Sequence, residues 1–320
     1  MGKTAATAEF RARGLKMRIT NYEFQITNID EQRALKIFVL LCALFFFFAE
    51  NSLAQTNFDV LAETISRGKT EQKRDALFQI RNLETAEASA VAVPALRDKS
   101  EIVRATAAFS VVFLPPDEAL IVLSPLLKDK KELVRREAAY ALGKTRNPAA
   151  INFLVQTFQT DKIADVKNAC VVALGEIGDA AAINFLNGIL QRKPKEADDF
   201  LRRSAARSIG QIAQTIQTGR REVITPKNFL PEKYFETEKP KYANLLEKFP
   251  AFGASVAVLI QTLQNARETD DTRREAAFAL GAIGDASATA VLQSNLDAKD
   301  YYLAQICKEA LQKITDKLKA

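Results

Sequence analysis

The sequence predicts an all-α fold, an α-solenoid (superhelix) of about seven stacked antiparallel helix pairs. Three observations predict it. First, Ile80, Val111, Leu142, Leu174, Ile209, Leu280 and Leu311 recur at steps of 31, 31, 32, 35, 71 and 31 residues, and a fixed period in this range marks a repeat array. Second, each recurrence sits in one helical stripe. In Leu133–Arg146 the residues Val134, Ala138, Ala141, Leu142 and Thr145 fall at i, i+4, i+7, i+8 and i+11, one face of a 3.6-residue period. Four residues before each recurrence stands Ala76, Ala107, Ala138, Cys170, Ala205, Ala276 or Cys307, and three after it Leu83, Leu114, Thr145, Ile177, Ile212, Ile283 or Ile314. Third, Gly175–Asp179 and Gly281–Asp285 share the pattern Gly-x-Ile-Gly-Asp, which supplies a left-handed helix end and then an N-cap.

Residues 1–54 read as an N-terminal extension ending in a signal peptide. Ile37–Ala49 holds thirteen apolar residues, Arg33 and Lys36 precede it, and Ser52-Leu53-Ala54 places small residues at −3 and −1 of a cut after Ala54. That layout predicts export to the periplasm or medium. The alternative is an anchor, but thirteen helical residues span roughly 20 Å against a hydrocarbon core of about 30 Å. Residues 1–32 are long and mixed for a leader.

The first part of the solenoid is read over 55–215, and the rest, with a C-terminal cap, over 251–320. In each repeat the stripe above lies on an inner helix. An outer helix then buries i, i+4 pairs: Leu123 and Leu127, Leu154 and Phe158, Leu186 and Leu190, Leu292 and Leu296. Asn147-Pro148 replaces the Gly-Asp turn in one copy. Lys308 and Glu309 in the last copy stand where other copies have Ala, Val, Phe or Tyr, as a terminal repeat requires.

Residues 216–250 interrupt the rhythm as an insertion loop with four prolines and the aromatics Phe229, Tyr234, Phe235, Tyr242 and Phe249. Three readings stand: a tolerated surface insertion, a binding element, or a degenerate repeat around Tyr242–Phe249.

DVKNACVVALGEIGDAAAINFLNGIL and DDTRREAAFALGAIGDASATAVLQSNL resemble HEAT repeats, of the short subtype first associated with phycobilin lyases, over roughly residues 58–318 apart from the insertion. The resemblance implies a scaffold for protein contacts. Arg81–Thr85 and Val112–Pro116 depart from it by lacking the Gly-x-x-Gly-Asp turn.

Composition limits the chemistry. The chain has 320 residues, 48% apolar and 26% charged, with net charge +6 and no His or Trp. Without His there is no His-based triad and no usual zinc ligand. Removing 1–54 leaves 38 basic and 34 acidic residues, hence +4. Cys170 and Cys307 read as small buried hydrophobes. No metal cluster, phosphate-cradling loop or nucleophile turn stands out. No cofactor and no nucleic acid are expected, and membrane association only if the signal segment is retained.

Seven residues before the Leu142 slot come Lys73, Arg104, Arg135, Lys167, Arg202 and Arg273; these read as a structural ladder. Six and two before it come Arg74 with Phe78, Ala105 with Phe109, Arg136 with Tyr140, Asn168 with Val172, Arg203 with Arg207, and Arg274 with Phe278. These i, i+4 pairs lie opposite the core stripe. Aromatics on a solvated face suggest either gap-filling between inner helices or a binding strip, and Arg and aromatics are enriched in hot spots. The expected partner is a protein or peptide of acidic character, held by Arg74, Arg136, Arg203, Arg207 and Arg274 with Phe78, Phe109, Tyr140 and Phe278 as anchors. The expected function is therefore a monomeric, exported, non-enzymatic scaffold; the alternative is a bilin-lyase-like enzyme or lyase subunit.

Overall fold

The computed structural model describes residues 16–19, 22–25, 58–219 and 245–319. The chain divides into the units Met1–Val60 and Leu61–Ala320. In the first, β1 (Lys16–Ile19) pairs antiparallel with β2 (Tyr22–Gln25), Lys16 opposite Gln25 and Ile19 opposite Tyr22. This hairpin was not expected from an all-α reading. The alternation in KMRI and YEFQ around a two-residue link is its signal. The Ile37–Ala49 run and the cut after Ala54 lie outside the described residues.

The second unit is the solenoid. Its inner helices are α2 (Thr70–Leu83), α4 (Glu101–Ser110), α6 (Glu132–Thr145), α8 (Ala164–Ile177), α10 (Asp199–Thr218), α13 (Asp270–Ile283) and α15 (Tyr301–Lys319). The outer ones are α1 (residues 58–67), α3 (Ala86–Ala92), α5 (Pro116–Leu123), α7 (Ala150–Thr160), α9 (Ile183–Leu190), α12 (Ala251–Gln264) and α14 (Thr289–Gln293). A single turn, α11 (Leu245–Lys248), precedes α12. Each inner helix from α4 onward packs on the outer helix before it and on the inner helices beside it. The core runs between the two layers. Ile80, Val111, Leu142, Leu174, Ile209 and Leu280 are all fully buried, as are Ala107, Ala138, Cys170, Ala205 and Ala276.

The sequence pattern slips in three places: Leu311 is only half-buried, because no described helix stacks beyond α15, and two other positions are exposed. Leu83 is 41% exposed, because α2 opens the array and Glu84 ends it in a left-handed turn at φ 54°. Leu296 is also exposed, since α14 stops at Gln293 and the chain turns away before that position.

Helix ends follow local chemistry. Gly178 and Gly284 terminate α8 and α13 at φ 76° and 77°, where L side chains are strained. Asp179 and Asp285 then accept N–H bonds from Ala181 and Ser287. Where the motif is missing, Arg146 takes the same left-handed position at φ 58°, and α4 ends at Ser110, with Pro115-Pro116 opening α5.

Across the insertion the order of stacking is unbroken. α13 packs directly on α10, and α12 on α9. The inner helix itself runs on through 216–218. The doubled step therefore does not hide another helix pair between these two layers.

Candidate binding face

The glycine one residue after the Leu142 slot sets the spacing of the inner layer. A methyl on Gly143 would meet the Ala173 Cα at 2.7 Å, and one on Gly281 the Ala310 Cα at 2.7 Å. On Gly175 it would strike the Ser208 Cβ at 2.8 Å, and on Gly210 the Phe278 ring at 2.5 Å. These contacts let neighbouring inner helices approach backbone to side chain, whereas outer helices meet their neighbours far less. A stack whose one layer is packed more closely bends toward that layer, so the inner face is the concave one. The sequence reading assigned Gly175 and Gly281 to the turn, yet their role is this close approach.

The ladder forms with a carboxylate of the next repeat at four of its six positions, at the edge where inner helices begin. Lys73 reaches Asp98 at 2.7 Å, Arg104 Asp129 at 2.8 Å, and Arg135 Asp161 at 2.6 Å. Each pair joins an inner helix to the loop of the next repeat. Arg104 and Arg135 also donate to backbone carbonyls of their own preceding loop, at Asp98 and Asp129. Burial pushes the three carboxyls up, but the cations and backbone N–H groups outweigh it and hold them below the ordinary range. Arg202 pairs with Glu268 and donates to the carbonyls of Ile189 and Arg192. Arg273 turns to Asn295 at 2.8 Å, and Lys167 lies over the Phe158 ring.

The residues six and two before the slot share one face, but their chemistry differs from the expectation. Arg74 pairs with Glu71, Arg136 with Glu137, Arg203 with Asp271 and Arg207 with Glu275. Arg274 bridges Asp271 at 2.6 Å and Asp300 at 2.5 Å. The five arginines are thus neutralised within the chain. Several of these pairs cross from one inner helix to the next repeat, with Glu275 half-covered at the α10–α13 seam; burial pushes its carboxyl up despite Arg207.

The aromatics divide. Phe278 is 4% exposed and fills the space above Gly210. It belongs to the core and not to a binding strip, because the missing side chain of Gly210 creates the socket it occupies. Phe78 is 42% exposed. Phe109 is half-buried beneath the Arg81 guanidinium, 5.5 Å from the ring centroid. Tyr140 is half-buried, and burial pushes its hydroxyl up although Asn168 hydrogen-bonds to it.

Three residues of this face escaped the sequence reading: Ile102, Phe200 and Tyr302, at 41, 54 and 48% exposure. All stand nine before the slot, three before the Arg74-type position, and i, i+3 spacing was the signal that could have found them. Arg203 covers the Phe200 ring at 4.6 Å and Arg274 the Tyr302 ring at 5.4 Å. The concave face therefore carries apolar side chains flanked by arginine–carboxylate pairs. The insertion aromatics Phe229, Tyr234, Phe235 and Tyr242 lie outside the described residues.

Cys170 and Cys307 are buried free thiols, pushed by burial to about 12, which removes thiolate reactivity at neutral pH. Among the described residues no group of three or more His, Cys, Asp or Glu could hold a metal, and no helix is long and apolar enough to cross a membrane.

Stacked antiparallel hairpins, one close-packed concave layer and a ladder along its edge define an α-solenoid. Residues 89–210 and 272–298 of this solenoid carry HEAT repeats. The family model of HEAT repeats matches residues 89–173 and 126–210, and that of the PBS lyase HEAT-like repeat matches 272–298. No curated protein matches the chain. Among solved structures, an engineered protein is similar at 20% identity and TM-score 0.46, over 81% of this chain and 68% of that one. The complex of CpcE and CpcF of phycocyanin lyase from Nostoc is similar at 18% identity and TM-score 0.45, over 82% and 92%. Human deoxyhypusine hydroxylase in complex with glycerol is similar at 19% identity and TM-score 0.37, over 83% and 99%. Neither ligand nor activity follows from likenesses this distant.

Proposed function

We propose that this protein is an exported, non-enzymatic scaffold that holds a protein or peptide partner along its concave face. The observation that supports it is the set of exposed and half-exposed side chains Phe78, Ile102, Phe109, Tyr140, Phe200 and Tyr302 on five of the seven inner helices, α2, α4, α6, α10 and α15. Apolar groups repeated on a face that no other layer of the described residues covers are what a partner would bury. Arg203 and Arg274, already paired, lie over the Phe200 and Tyr302 rings, and the arginine–carboxylate pairs give the partner a rim of mixed charge. An acidic partner would then be met by cations other than these five.

The triple variant Phe78→Ala, Tyr140→Ala, Phe200→Ala tests the reading. Proteins captured by the wild-type mature chain from envelope or culture-medium extract should be lost on the triple, while far-UV circular dichroism and the melting temperature stay close to wild type. Capture of the same proteins by both forms would overturn it. Export rests on Ile37–Ala49 followed by Ser52-Leu53-Ala54. N-terminal sequencing of protein made in a bacterial host should read from Gln55; an intact N-terminus on protein left in the cytosol would rule export out.

A further inference from the structure

The ladder carboxylates orient the residues beside them. Asp98, Asp129 and Asp161 turn into the stack toward Lys73, Arg104 and Arg135, and each also accepts the backbone N–H two residues on, from Ser100, Lys131 and Ile163. The loop is pinned with the acid inward, and the following residue projects into solvent. Lys99, Lys130 and Lys162 occupy that place and are exposed. The loops entering α10, α13 and α15 carry exposed Lys195, Arg267 and Lys299. Six successive outer-to-inner connections therefore each present at least one cation.

All six lie on one edge, because the inner helices run parallel. Among the described residues the opposite edge, made by the inner-to-outer connections, presents exposed Glu84, Asp117 and Glu118 in the first two copies and exposed Arg146 in the third.

From this row we infer that the basic edge docks an extended acidic segment of a partner protein, with Asp or Glu recurring at about every third residue. Neighbouring helix layers lie roughly 10 Å apart, and an extended chain advances about 3.3 Å per residue. One carboxylate in three residues then keeps register with one cation per layer. A single row that follows the bend of the stack suits a line of charge better than a plane of headgroups. The inference does not depend on the concave aromatics: it concerns different residues and a different face.

The experiment uses a fluorescent peptide of repeated Glu-Gly-Ser triplets and a second peptide of the same composition with all its Glu in one block. Anisotropy at low salt should show the periodic peptide binding more tightly than the blocked one, and binding should weaken as salt is added. The variant Lys99→Glu, Lys130→Glu, Lys162→Glu should weaken it by about tenfold or more, as loss of steering and contact charges does. The variant Arg146→Glu, Lys308→Glu, Lys319→Glu changes the net charge equally, away from the edge, and should stay within about twofold. The Phe78, Tyr140, Phe200 triple should bind this peptide normally, so failure here and failure of the concave reading are told apart. If the edge triple does not fold by circular dichroism, the Lys→Gln version carries the same comparison. Equal loss in both charge triples would reduce the effect to net charge and overturn the proposal. So would no preference for the periodic peptide. Tighter binding to phosphatidylglycerol vesicles or to a thymidine 20-mer than to the peptide would assign the edge to lipid or nucleic acid instead.

Discussion

Arg202→Ala should destabilise the protein by about 3–5 kcal/mol, the range for removing one partner of a buried ion pair. The Arg202 and Glu268 side chains are 4% and 1% exposed. Arg202 also satisfies the carbonyls of Ile189 and Arg192. Its loss leaves a buried carboxylate and two orphaned acceptors at the one rung whose partners are 66 residues apart. Those partners lie on the two sides of the insertion, so the rung joins residues far apart in sequence but adjacent in the stack. Urea unfolding of the variant checks the number. Arg202→Met with Glu268→Leu should recover much of the loss, since an apolar pair leaves no buried charge behind. A single variant that costs less than about 1 kcal/mol would mean that the α12–α13 loop swings out and hydrates Glu268.

Leu142→Ala and Leu174→Ala should each cost about 2–5 kcal/mol, because both side chains are fully buried between the layers and leave cavities that the stack fills only in part. Arg136→Ala should change stability by only about 0.5 kcal/mol. Its guanidinium is 36% exposed and its nearest carboxylate is that of the adjacent Glu137. Equal losses at Leu142 and Arg136 in the same denaturation assay would mean that the inner helix faces the other way.

Much of the architecture was readable because it repeats. A single stripe with Leu at one slot and Ala or Cys four residues earlier identified all the inner helices. The Lys73-type position announced its ladder because a cation beside the core stripe, repeated in every layer, needs a partner in every layer. Single copies were harder. The same stripe places Leu83 in the core, yet α2 has no inner helix before it to cover that end. Lys16–Gln25 carries a period of two over so few residues that only pairing makes it a hairpin.

The sequence by itself determined the repeating core stripe, the glycine helix stops and that the array is a solenoid, since periodicity and cap chemistry are local properties. Only the tertiary structure decided what the opposite face is. Whether Phe278 is an anchor or a plug depends on Gly210, 68 residues away, and whether Arg203, Arg207 and Arg274 are free depends on Asp271, Glu275 and Asp300 in the following repeat. A helical wheel gives the direction in which a side chain points. What it meets is set by the neighbouring helix, and that distance follows from small residues whose close approach exists only once the repeats are stacked.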